Sequence, residues 1–119
     1  MEFAQADIAD RLDSADSRTL DLLSFGVVKM DLDDVVLEYN EAESRLSGLS
    51  KSSVVGRDFF TQVAPCTNNY MVAERYHEHD ILDETIEYVF TYRMRPTKVR
   101  LRMLKNARRN FQYLLVEAL

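Results

Sequence analysis

The apolar positions of this 119-residue chain change period three times along its length. Near the start, Ile8 and Leu12 stand four apart and Leu20 and Leu23 three apart, a helical spacing, with Asp16 and Ser17 placed to cap the second stretch. Phe25-Gly26 breaks that pattern. Residues 27–31 and 35–39 are short β-branched or aromatic runs on either side of the acidic turn Asp31-Leu32-Asp33-Asp34, which predicts a hairpin. The polar stretch 40–60 offers helix starts at Asn40, Ser50 and Asp58 and glycines at 48 and 56, and predicts several short helical turns in place of one long helix. A helix is predicted over 71–82, after the Asn68-Asn69 turn. Over 85–94 the period drops to two, with Ile86, Tyr88, Phe90, Tyr92 and Met94 on one face and Glu87, Thr91 and Arg93 on the other. Pro96-Thr97 is expected to turn the chain. Over 98–104, Val99, Leu101 and Met103 point inward against Lys98, Arg100 and Arg102 outward. After a turn at 106–110, residues 113–116 form a mostly apolar last strand.

Two hairpin-connected strand groups separated by a helical middle predict an α+β domain: a five-stranded antiparallel sheet with helices on one face and short N-terminal helices. That order resembles the PAS fold, in which a small ligand sits between the sheet and the helical middle. The boundaries expected are an N-terminal helical cap over 1–24 and a PAS core over 25–119, one domain in all.

Charge sharpens this picture. Residues 1–60 hold 13 acidic and 6 basic side chains, and residues 61–119 hold 7 and 9. Eight basic residues and no acidic one fall between Arg93 and Arg109. A nucleic-acid footprint would look like this, but the sequence pI near 5.0 opposes attraction to phosphate. The stripe is therefore read as a solvated outer sheet face. The N-terminus has neither the basic nor the apolar region of a signal peptide, and no apolar run approaches membrane-spanning length. With one cysteine, no internal disulfide can form, so a cytoplasmic protein is expected, a monomer or weak dimer with no membrane partner.

The candidate chemistry centres on that cysteine. Cys66 lies in Val63-Ala64-Pro65-Cys66-Thr67, on an irregular segment where functional residues concentrate. A single cysteine is also commonly a small buried hydrophobe. His77 and His79, two apart on a predicted helix, face different ways and make neither a metal pair nor a base for the thiol. Tyr39 and Glu43 can point into one cavity if the strand ends at Tyr39 and a helix starts at Asn40. A carboxyl desolvated there would have its pKa raised and stay protonated as a hydrogen-bond donor. On its own, Glu43 is as easily a surface residue beside Glu41 and Arg45.

Leu23-Ser24-Phe25-Gly26, Tyr39-Asn40-x-x-Glu43, Val55-Gly56-Arg57-Asp58-Phe59-Phe60, Val63-Ala64-Pro65-Cys66-Thr67 and Pro96-Thr97-Lys98-Val99 resemble, in order and spacing, the photoactive yellow protein (xanthopsin) family. The resemblance runs from about residue 20 to the C-terminus. It implies a bacterial blue-light receptor, not an enzyme, whose chromophore is p-coumaric acid in thioester linkage to Cys66. Tyr39 and protonated Glu43 would donate to the buried phenolate, Ser47 would support Tyr39, Phe90 would pack beside the ring, and Met94 would assist the thermal return to the dark state. Ser47 stands where the best-known members have threonine, Leu49 replaces an arginine that lids the chromophore, and Tyr113 stands where a tryptophan is common. The stretch between Cys66 and Phe90 is about three residues shorter than usual. After trans–cis photoisomerisation, Glu43 would protonate the phenolate and the N-terminal helices would be released. With a strand as the last element, the signal is expected to pass to a separate, unidentified downstream protein. Two other readings compete: a PAS interaction module with no chromophore or another acyl group on Cys66, and a thiol enzyme, for which no base or oxyanion motif stands out.

Overall fold

The computed structural model describes residues 1–92 and 95–119, Tyr92 by its backbone alone. Met94 and Arg93, assigned above to opposite strand faces, lie outside the described residues, as does any placement of Met94 at a ligand site.

Two short helices open the chain, α1 (Ile8–Asp13) and α2 (Ser17–Asp21), the second capped by Asp16, whose carboxylate accepts from the Thr19 N–H. The hairpin follows as β1 (Gly26–Asp31) and β2 (Val36–Tyr39). The polar middle is broken into short turns: α3 (Glu41–Ser47), α4 (Lys51–Val54), a π-helical turn over Phe59–Val63 and a 3-10 turn over Pro65–Thr67. Asn40, Ser50 and Asp58 are the N-cap positions of the first three. Then come α5 (Ala73–Glu78) and three long strands, β3 (Ile81–Tyr92), β4 (Arg95–Asn106) and β5 (Phe111–Ala118). Among the described residues they complete a five-stranded antiparallel sheet in the order β2-β1-β5-β4-β3.

Period-two alternation gives the sheet two apolar faces. Val28 and Met30, Val99, Leu101 and Met103, and Leu114 and Val116 face the helical middle, packing on Val54, Phe59, Phe60, Val72 and Tyr76. Val27, Leu104, Tyr113 and Leu115 face the other way, onto Phe3, Ile8, Leu12, Leu20 and Phe25. The helical middle thus covers one face and the N-terminal helices the opposite one.

Three local expectations are corrected. The helix expected over 71–82 spans only Ala73–Glu78. Beyond it, Ile81 and Leu82 join a ladder of twelve cross-strand pairs running from Ile81–Asn106 to Tyr92–Arg95, and long-range pairing overrides a short helical pattern. Pro96-Thr97 is not a turn, because both residues lie in β4. Proline is tolerated there because β5 does not reach it: the first β4–β5 pair is Val99–Ala118, so β4 is an edge at Pro96. Finally, Arg102 is not solvated. Its side chain is 8% exposed, forks onto Asp83 with two 2.9 Å bonds, and donates through Nη1 to the carbonyls of Phe3 (2.9 Å) and Gln5 (2.8 Å). Alternation correctly put Arg102 on the outer face but said nothing of the N-terminal segment lying over it.

Candidate functional site

The site is built where β2 passes into α3. Tyr39 ends β2 and is fully buried. Asn40 then caps α3 and serves as a junction. Its side-chain oxygen accepts from the Glu43 N–H (3.1 Å) and the Val27 N–H (2.8 Å), while its amide donates to the carbonyls of Leu20 (2.8 Å) and Phe25 (3.0 Å). Glu43 and Ser47, one helical turn apart, share the buried face of α3, at 0% and 1% exposure. Room for the Glu43 carboxyl comes from Gly26, since a Cβ there would overlap Glu43 Oε1 and come within 3.1 Å of Glu43 Cβ and Cδ. The Tyr39 hydroxyl donates to Ser47 Oγ at 2.8 Å, and the Leu49 N–H donates to the same oxygen at 3.1 Å. Gly48, at φ 77°, makes the left-handed C-terminal turn that leads from α3 to Leu49.

Cys66 arrives from the other side. The π-helical turn ends at Ala64, and Pro65 starts the 3-10 turn that carries the free, half-buried thiol. Thr67 is buried and donates its hydroxyl to the Ala64 carbonyl at 2.7 Å, closing the turn on itself. A cleft of about 350 Å³ lies between these two halves, lined by Ser47, Leu49, Val63, Ala64, Pro65, Cys66 and Thr91. Among the described residues, none that lines it is charged. Leu49 and Cys66 are partly buried against the inner core, in which Phe90 is fully buried. The structure therefore brings Cys66, Ser47 and Leu49 to one cleft. Tyr39 bonds the lining residue Ser47, whereas Glu43 and Phe90 are fully buried and are not among the residues that line the cleft. The histidines do not join: His77 Nε2 stands 2.6 Å from Asp34 Oδ2, on a separate network that includes Gln112. Among the described residues, no group of three His, Cys, Asp or Glu side chains could hold a metal ion.

The PAS fold family model matches residues 15–116. A photoactive yellow protein from Halochromatium salexigens is 38% identical over 108 residues, covering 88% of this chain and 86% of the relative. One from Rhodothalassium salexigens is 37% identical over 106 residues, 87% of this chain and 85% of that one. The chain belongs to the photoactive yellow protein family of PAS domains. In structure it is similar to the photoactive yellow protein domain of the sensor histidine kinase Ppr from Rhodospirillum centenum, with a TM-score of 0.84 at 33% identity, covering 91% of this chain and 97% of that one.

Sequence reasoning missed several residues around the cleft. The Cys66 carbonyl accepts from the Tyr88 hydroxyl (2.6 Å) and from Asn69 Nδ2 (3.1 Å). Alternation places Tyr88 only on an apolar strand face, and the Asn68-Asn69 pair marks only a turn. In the sequence Gly26 is visible only as a helix breaker, because a close approach between distant segments leaves no local pattern. Among the described residues, no helix is long and apolar enough to cross a membrane.

Proposed function

We propose that this domain is a blue-light photoreceptor that carries p-coumaric acid as a thioester on Cys66. The observation that carries the proposal is the cleft itself, with a thiol on one wall and, on the other, a serine that holds a buried tyrosine hydroxyl one helical turn from a buried glutamate. Its volume lies at the lower end of the range for small-ligand pockets, about 300–1,000 Å³. A lining that is uncharged among the described residues, together with a single thiol, suits an aromatic acyl group, and buried hydroxyl and carboxyl donors suit one oxyanion on it.

Cys66 Sγ, as thiolate, is the nucleophile that takes the acyl group from an activated donor and expels that donor's leaving group. Once bound, the p-coumaroyl group supplies blue absorption and a double bond that light isomerises from trans to cis. With the group bound, Tyr39 would turn its O–H from Ser47 Oγ to the phenolate and accept from the Ser47 hydroxyl instead, protonated Glu43 would supply the second O–H donor, and Phe90 would pack beside the ring. Met94 is assigned to the thermal return. Leu49 lines the cleft with an apolar side chain, and among the described residues no charged side chain lines it to compensate a buried anion. When light breaks the fit, the Glu43 carboxyl proton would pass from Oε to the phenolate oxygen, and a carboxylate would remain where nothing is exposed. Such a charge is destabilised by several kcal/mol. Asn40 bonds both the first turn of α3 and the carbonyl of Leu20 in α2, which gives that destabilisation a route to the N-terminal helices. Their release uncovers the outer sheet face to a separate downstream protein.

Incubation with an activated coumaroyl thioester tests the assignment of the thiol. A yellow product with the mass of one acyl group is expected from the wild type and from Glu43→Gln, red-shifted in the latter, and none from Cys66→Ala. Colour or mass gained by Cys66→Ala would remove Cys66 as the attachment site.

A further inference from the structure

We infer that Tyr88 and Asn69 are positioning residues for Cys66, fixing its backbone from the sheet and from the segment leading into α5. The inference deepens the proposed function and rests on it for its consequence in a loaded protein, but its geometry is independent of any bound group. The 3-10 turn carrying Cys66 has few bonds of its own. Thr67 donates to Ala64 O through both its N–H (2.9 Å) and its hydroxyl, and the Asn68 N–H donates to Pro65 O (3.1 Å). The Cys66 carbonyl is claimed from outside the turn. The Tyr88 hydroxyl donates to it at 2.6 Å and Asn69 Nδ2 at 3.1 Å, while the same Nδ2 stands 2.7 Å from the Tyr88 oxygen, closing a triangle.

Each corner is itself anchored. Asn69 Oδ1 accepts from the N–H groups of Met71 (2.9 Å) and Val72 (3.2 Å), and the Asn69 carbonyl accepts from the Glu74 N–H (3.1 Å). Tyr88 is paired with Val99 in the β3–β4 ladder, and its ring stands edge-on to Phe90 at 5.8 Å between centroids. One strand therefore presents Phe90 to the inner core and holds the thiol-bearing turn through Tyr88. Where Cys66 Sγ stands relative to the cleft is set by these two side chains, and movement of a group attached to Cys66 is transmitted to β3.

The test uses the full chain with Cys66 as its only thiol. The rate of reaction with Ellman's reagent is measured in native buffer for the wild type, Tyr88→Phe, Asn69→Ala and Leu82→Ala, with urea midpoints measured alongside. Tyr88→Phe and Asn69→Ala are expected to react faster by about fivefold, the change that one ordinary hydrogen bond makes to an opening equilibrium. Leu82→Ala, which weakens the same strand away from the triangle, should lower the urea midpoint and keep the wild-type thiol rate. Wild-type rates in both triangle variants, or an equal acceleration in Leu82→Ala, would overturn the inference. In coumaroyl-loaded protein, Tyr88→Phe should keep the wild-type absorption maximum and change the rate of dark recovery. Failure of the wild type to form a coloured adduct would refute the proposed function and leave the thiol rates to decide this inference.

Discussion

Gly26 and Glu43 show how closely the site depends on single atoms. The glutamate is fully buried because the strand beside it has no Cβ at residue 26, and an added methyl has nowhere to go except into the carboxyl. Gly26→Ala is therefore expected to cost about 1–3 kcal/mol, the usual range for overpacking, read as a lowered urea midpoint. It should also lower the yield of coloured adduct, because Glu43 must leave its place; an unchanged midpoint and yield would contradict the packing described. A surface place for Glu43 stayed equally open in the sequence, and Ser47 entered only through the family resemblance; that Tyr39 and Glu43 can share one cavity was legible, because a strand ending at Tyr39 and a helix capped by Asn40 set where the first turn points. Gly26 was not, because its partner is seventeen residues away. The bond from Tyr88 to the Cys66 carbonyl was hidden for the same reason, since alternation names a face but not what reaches it; the bond from Asn69 is local, but a turn signal does not say what the side chain bonds.

At the level of elements, the N-terminal helices are attached by polar clamps around an apolar centre. Arg102 bonds the carbonyls of Phe3 and Gln5, Arg109 pairs with Asp10 and Asp13, and the Tyr113 hydroxyl donates to Asp13 at 2.5 Å. Hydrogen bonds from a charged donor contribute about 1.5–3 kcal/mol, so Arg102→Met should loosen the segment over the sheet while the β4–β5 ladder holds. Amide exchange reads this directly: residues 3–20 are expected to exchange at least tenfold faster, with Leu101 and Leu114 unchanged. The tyrosines add a pH dependence. Burial, then the nearby Asp34 charge, raises the Tyr76 phenol well above 10.0; burial, then the bond to Asp13, raises that of Tyr113. Both lose their protons more readily in the unfolded chain, so their contribution is complete below pH 10 and is lost as pH rises beyond it. Urea midpoints should fall steeply above pH 10, and less steeply in Tyr113→Phe. The order of strands and short helices was legible because caps and periodicity are local. The end of α5 and the start of β4 were not, because both are decided by the β3–β4 ladder.

In the whole molecule, one sheet separates the two apolar clusters, the site within one and the N-terminal helices on the other. Asn40 is a direct polar link between them, joining the first turn of α3 to the end of α2 and to β1. Illumination of loaded protein is therefore expected to speed amide exchange over residues 3–20 and to leave β4 and β5 protected. Uniform acceleration would show global loosening instead of release of one layer. The fold and its five-stranded sheet were readable because consistent local signals agree with one architecture. Coverage of both sheet faces was not, because it depends on where the first twenty residues fold back.

The proposed function depends on Cys66 carrying a light-switchable chromophore. Blue illumination of coumaroyl-loaded protein, followed by absorption spectra in the dark, tests it most directly. The blue band is expected to bleach and return fully, with a recovery that can be repeated over successive flashes. A band that survives illumination, or that bleaches without return, would contradict the proposed function.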